Sequence, residues 1–406
     1  MHAARTLPWI VLLTFAGCGA RSGLGDLEAD DEPADAGVAR DARPARDARV
    51  ADAAVSCADR PAPASCVVGW TACHPIHRPI ELTRAPAQSP DVAWSGSELL
   101  VVFDRAPGVV VTGVTLEGEV AWTADVGGVQ QARIAYDVEA CAGMVVADSA
   151  VRWLGADGRP VGELARLPFM EWQLGGDIAE TASGFVLASG AIAHGEDPPG
   201  FFYDRFGRAP GGIALALVDA VGPRAIAEHD TDEDGRATLI ASTTWDGTAG
   251  ELYDAGDVGP PLRVDGIGNA NGHVVGVAAL GDDVFLLRSR EGWTLTLEQR
   301  SADGTMRAFL LGESPRGSTG HLMRLGDGLV VASNAITPDD RVTVAGLRPD
   351  RDPILSVPMP VATRAHSHSP RLTPIPFGFA VAWSETDDPA TGLYSMVQLF
   401  ECCLGD

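Results

Sequence analysis

The sequence predicts an all-β chain folded as a seven-bladed β-propeller. Three observations predict it: one short pattern recurs seven times, each copy carries an apolar run, and turn dipeptides follow most of the runs. The copies open at Ser89, Gln131, Gly175, Gly222, Asn271, Thr319 and Ser369, with starts 42, 44, 47, 49, 48 and 50 residues apart. That spacing holds four short strands, the content of one blade.

The first copy illustrates the unit. S-P-D-V-A-W from Ser89 reads as a short strand, and Leu99-Leu100-Val101-Val102-Phe103 as the next. This run, like Leu329-Val330-Val331-Ala332 in the sixth copy, is continuously apolar instead of alternating. Such runs suit strands covered on both faces, which packing between two neighbouring blades provides. A second hairpin follows in most copies, turning at Glu117-Gly118, Asp157-Gly158 or Asp303-Gly304, dipeptides that accept the positive φ of tight turns. The fourth copy has the least distinct second hairpin, around residues 252–264. The seventh stops soon after its third strand, Leu393 to Phe400. Upstream of the first copy lies Arg78-Pro79-Ile80-Glu81-Leu82-Thr83, where a fourth strand precedes each repeat. The expected closure is an N-terminal strand that completes the last blade and removes its exposed edge. The alternative is six true blades and an irregular seventh half-repeat.

By period and strand pattern, residues 76–400 resemble the seven-bladed propeller superfamily. The GH…WD signature of WD repeats and the S-x-D-x-G-x-x-W box of sialidases are both missing. The resemblance therefore implies a fold and no particular activity.

Residues 1–17 read as an export signal: Arg5 supplies positive charge, and Leu7 to Phe15 form an apolar stretch too short to span a membrane. Phe15-Ala16-Gly17-Cys18 resembles the lipobox of bacterial lipoproteins, with Phe where Leu is usual. The resemblance implies cleavage before Cys18 and its lipidation; an ordinary secretory signal is the alternative. Gly19 stands where an Asp often retains lipoproteins at the inner membrane, so the resemblance also implies an outer-membrane location. Residues 18–56 are rich in Ala, Asp, Arg and Pro and poor in large apolar side chains. They cannot offset the entropy of ordering, and read as a flexible tether to a propeller domain at 57–406.

Seven cysteines is an odd count. Lipidating Cys18 leaves Cys57, Cys66, Cys73, Cys141, Cys402 and Cys403, enough for three disulfides outside the cytoplasm, with connectivity open. If the N-terminal strand completes the last blade, Cys402 and Cys403 lie near Cys66 or Cys73 and a disulfide there locks the closure. The same compartment favours disulfides over a zinc set of Cys66, Cys73, His74 and His77.

The formal net charge of −25 disfavours nucleic acid, and no basic patch interrupts it. P-loop, G-x-S-x-G and H-E-x-x-H motifs are missing. Aligning the copies brings forward their third residues: Asp91, Arg133, Asp177, Arg224, His273, His321 and Arg371. At the starts of innermost strands these would ring the mouth of a central channel. The default reading is a plug of salt bridges and hydrated polar groups. The sharper one is a site for an anionic or sugar ligand, gripped by Arg forks, with His273 and His321 as acid and base. A second candidate is Asp230-Thr231-Asp232-Glu233-Asp234-Gly235, an insertion between the first two strands of the fourth copy. Asp230, Asp232 and Asp234 alternate around a Gly turn, a pattern that suits calcium and resembles FG-GAP calcium loops. Thr238 stands where those loops carry Asp, and a solvated acidic hairpin tip is the alternative. His366 and His368 lack a third metal ligand.

Three functions follow. The first is an envelope-anchored, monomeric module that recognises a protein or glycan through rim loops. The second is a polysaccharide lyase or hydrolase using His273 or His321 with Arg224 or Arg371. The third is an envelope scaffold.

Overall fold

The computed structural model describes residues 66–403, apart from 84–86, 129–130, 148–149, 168–175, 182–183, 192–199, 208–215, 220–223, 233–234, 244–249, 255–261, 268–271, 291–292, 315–317, 349–354 and 389–391. Within two units, residues 1–50 and 51–406, all of these fall in the second. The export signal, Cys18, the tether and Cys57 lie outside the described residues.

The chain is all-β, as expected. Its strands form seven small antiparallel sheets. Sheet one comprises Gln88–Trp94, Leu99–Arg105, Gly108–Val114 and Val120–Asp125, hydrogen-bonded in that order. The first strands of sheets two to seven are Arg133–Asp137, Gly176–Thr181, Arg224–Asp232, His273–Leu280, Gly320–Leu325 and His366–Ile375. Sheets one to six keep the same plan of successive hairpins, including the indistinct fourth repeat, where Gly250–Asp254 pairs with Leu262–Ile267.

Apolar second strands fill the spaces between sheets because their side chains alternate between two cores. Leu100 and Val102 of sheet one pack with Ile134, Tyr136 and Val145 of sheet two. Leu99, Val101 and Phe103 pack on the other side with Ala380, Ala382 and Leu399 of sheet seven. Val330 and Ala332 of sheet six likewise meet Phe379, Val381 and Trp383 of sheet seven. The runs Leu99 to Phe103 and Leu329 to Ala332 are thus apolar at every position because both of their faces are dry. First strands touch one another in chain order, and that of sheet seven touches that of sheet one.

Sheet seven holds both ends of the described chain. Its third strand, Tyr394–Glu401, has no fourth strand from its own repeat. Two N-terminal strands, His74–Pro75 and Ile80–Glu81, pair with it instead. The second is the one expected from sequence. Glu81 extends the junction by accepting a 2.6 Å hydrogen bond from Arg364. Disulfides Cys66–Cys403 and Cys73–Cys402 bind the same junction. Cys141 is disulfide-bonded too. Between the two N-terminal cysteines, a 3-10 turn at Trp70–Ala72 drops Trp70 into the core shared by sheets six and seven. There it stacks on Phe379, which stacks on Phe400 with ring centroids 4.7 Å apart. Gly346 makes the seat: a Cβ there would lie 2.3 Å from a Trp70 ring carbon.

Candidate functional site

Five of the seven third-position residues occupy one structural level, and two do not. The level is defined by the partner on the second strand, a residue facing the next sheet in the packing order. Asp91 pairs with Val102, Arg133 with Val146, Asp177 with Ala188, His321 with Ala332 and Arg371 with Ala382. In sheet four the corresponding partner, Ala241, pairs with Ile226, whereas Arg224 pairs with Thr243 further along. In sheet five Leu287 pairs with Gly276, and His273 lies beyond a bulge opposite Ser289. Gly276 passes so close to sheet six that a Cβ would lie 2.8 Å from the Leu322 nitrogen. In backbone register, Ile226 and Gly276 stand opposite these partners in sheets four and five, with Arg224 and His273 further along their strands; the Arg224 side chain lies outside the described set. Asp91, Asp177 and His321 are buried, only 8%, 6% and 4% exposed. They form a floor.

Backbone amides of the next sheet hold much of this floor in place. Asp91 Oδ1 accepts the Val92 amide at 3.0 Å and Oδ2 accepts the Ile134 amide of sheet two at 2.9 Å. His321 Nδ1 accepts the Leu372 amide of sheet seven at 3.2 Å. That bond keeps Nδ1 unprotonated and puts the imidazole proton on Nε2. Burial, reinforced by nearby Arg371, pushes the His321 pKa down to about 3. Asp177 makes the equivalent local bond, Oδ1 accepting the Ile178 amide at 3.2 Å. Its Oδ2 has no hydrogen-bond donor, the nearest cation being Arg371 Nη1 at 3.6 Å. Arg133 Nε stands 3.9 Å from Oδ1. Burial and the neighbouring Arg371 push the Arg133 guanidinium down, against the pull of Asp91 and Asp177. Sheets three and seven are not packed neighbours, so the Asp177–Arg371 approach crosses the middle of the first strands.

A cavity of about 200 Å3 rises from this floor. It runs along the first strands of sheets one, two, three and seven, from Asp91, Asp177, His321 and Arg371 to Trp94, Val138, Glu180 and Pro374. Val138, 38% exposed, marks its open end. The volume equals roughly seven waters at ~30 Å3 each and falls below the ~300–1,000 Å3 of pockets for drug-sized ligands. Tyr136, Glu180 and Thr373 are wall residues not singled out from sequence. Their signal was available: the wall follows the third to sixth residues of each opening, not the third alone.

The remaining candidates are structurally quieter. Asp230 and Asp232 lie in sheet four's first hairpin, opposite Ala237 and Gly235. The side chains of Asp230 and Asp232, and all of Asp234, lie outside the described set, and so does the calcium expectation. Among the described residues, no three His, Cys, Asp or Glu side chains gather to hold a metal. Cys66 and Cys73 are in disulfides, not a zinc set. His368 Nδ1 lies 2.9 Å from Ser369 Oγ, and the Ser369 amide donates to Thr319 Oγ1 of sheet six, a bond between sheets. Comparison with protein-family models and with curated proteins found no match.

Proposed function

We propose that the chain is an exported, lipid-anchored seven-bladed β-propeller that works as a monomeric binding module for a protein or glycan of the cell envelope. Support for the propeller comes from the packing order of the seven sheets, in which sheet seven meets sheet one. Support for the lipid anchor at Cys18, and for an outer-membrane location, comes from the N-terminal sequence alone.

One observation carries the binding reading: opposite charges from non-neighbouring sheets converge on the floor of an open cavity. Fixed, buried polar groups under a half-apolar wall are the usual make-up of a ligand pocket. The enzyme reading fares worse on chemistry. A general base needs a pKa near the working pH, and His321 sits far below it with one nitrogen occupied by an amide. His273 is displaced from the level by a bulge and is not in the cavity wall.

The test uses the full chain purified in detergent and presented to anionic and neutral envelope polysaccharides and to envelope proteins. Saturable binding without product is expected. Turnover of a polysaccharide that disappears in His321→Ala would overturn the module in favour of a lyase or hydrolase. Failure of Cys18→Ser to abolish labelling by a fatty-acid probe would remove the anchor.

A further inference from the structure

We propose that the end of the molecule where the first hairpins turn is the docking face for a basic segment of a protein partner, one Lys or Arg side chain of which enters the cavity. The proposal rests on the binding-module reading and names the chemistry of its partner.

The first hairpins of several sheets turn at one end. In sheets one, two, three and seven the first strands run together along the cavity, from Asp91, Asp177 and Arg371 to Trp94, Val138, Glu180 and Pro374. Sheets six and seven share that direction, with Thr319 Oγ1 accepting the Ser369 amide and His321 Nδ1 the Leu372 amide further along. So do sheets five and six: Ser289, opposite His273, bonds Ser318, and Gly276 abuts Leu322 beyond it. The described turns of these hairpins span 95–98, 138–141, 281–282, 326–327 and 376–377. They hold Glu98, Glu139, Asp282 and Asp327 and no Lys or Arg. Glu139, Asp282 and Asp327 are exposed. Acids carried by four different sheets suit an extended basic chain better than one small cation.

The cavity opens on the same face. Val138, in the turn of sheet two, is 38% exposed and lines the mouth. Among the lining side chains, Asp91, Asp177 and Glu180 stand against Arg371 alone. Arg133, with Nε 3.9 Å from Asp177 Oδ1, reduces the excess of acid without cancelling it, and His321 is neutral. A cation entering here offsets that excess, whereas an anion adds to it. Val92, Ala93, Ile134 and Ile178 supply an apolar wall for the methylene stem of a Lys or Arg. A volume of about 200 Å3 takes one such side chain, in the way a central interface pocket takes its anchor. The formal net charge of −25 draws a basic partner in from beyond contact range.

The experiment is calorimetry on the full chain in detergent with octalysine and octaarginine, and with octaglutamate and spermine for comparison. Saturable one-to-one binding of a basic peptide, weakening as salt rises, is expected. Neutralising the turns together, with Glu139→Gln, Asp282→Asn and Asp327→Asn, is expected to weaken it about tenfold. A second triple variant, Asp125→Asn, Asp339→Asn and Asp387→Asn, neutralises three exposed acids at strand ends away from these turns. It changes the net charge equally and is expected to leave binding within about twofold. Val138→Trp narrows the mouth without altering charge and is expected to weaken binding about tenfold. Circular dichroism and melting temperature establish folding. Asp282→Asn and Asp327→Asn singly replace the turn variant, and Val138→Phe replaces Val138→Trp, where folding fails. Equal weakening by the two triple variants would mark attraction to the whole acidic surface and overturn the proposal. So would unchanged binding in Val138→Trp, octaglutamate or spermine bound as tightly as the basic peptides, or no binding to folded wild type. If envelope proteins or glycans are still captured by the turn variant at wild-type strength, this docking face falls while the module stands.

Discussion

At the scale of single residues, His321 imposes a sign on the pH dependence of stability. Its pKa is about 3 in the folded chain against an ordinary 6.5. Between these values the unfolded chain binds the proton and the folded chain does not, so stability is full above ~6.5 and is lost as pH falls. The slope approaches about 1.4 kcal/mol per pH unit. Burial pushes His368 down against the pull of Asp340 and adds to the same trend. Asp104, whose carboxyl burial pushes up, opposes it near its own range. Melting temperature is expected to fall from pH 7 to pH 4. His321→Asn, whose Oδ1 can take the Leu372 amide, should flatten that fall; an unchanged slope would mean that other groups set it. Five floor residues were legible in the sequence because polar side chains recur at one place in the repeat. Arg224 and His273 stand further along their strands than the count from the start of each copy suggests, for a mechanical reason. Register is set from the hairpin end, and two local irregularities intervene: a hairpin lengthened through Asp232–Gly235, and the bulge between Val274 and Gly276. Counting from the start of each copy cannot see either one.

At the scale of elements, the N-terminal turn is the least expected feature. Trp70 was not singled out, since nothing around it is periodic, and its place depends on a contact with residue 346 far along the chain. Gly346→Ala is expected to push Trp70 off Phe379, costing roughly 1–3 kcal/mol as overpacking does. A red shift in tryptophan emission and a lower denaturant midpoint with an unchanged m-value would report it. An unaltered midpoint would mean that the turn contributes little to folding. The strand at Ile80–Glu81 was legible because the last repeat visibly lacks a strand. The neighbouring His74–Pro75 was not, because two polar or cyclic residues carry no strand signal. Apolar runs were the most readable elements: Leu99 to Phe103 must be apolar at every position once both faces meet another sheet.

At the scale of the molecule, the two described disulfides span 337 and 329 residues and run side by side. Either one closes the long loop, and the other then closes only a short one through Cys66–Cys73 and Cys402–Cys403. Chain-entropy reasoning makes their effects strongly non-additive. Replacing one pair by serine should cost about 2–3 kcal/mol, and removing the second a further ~5 kcal/mol or more. Denaturant unfolding of the two single-pair variants and the four-serine variant measures this; equal, additive losses would show that local packing, not loop closure, sets the cost. The same arrangement has a consequence for biogenesis. Cys402 and Cys403 are made more than three hundred residues after their partners, so neither covalent tie can form until nearly the whole described chain has been synthesised. A chain cut short before Tyr394 leaves Cys66 and Cys73 without Cys402 and Cys403 and leaves sheet seven without its third strand. Unpaired, the thiols of Cys66 and Cys73 distinguish such a product from the closed one, which makes this junction a built-in check that synthesis has passed Cys403.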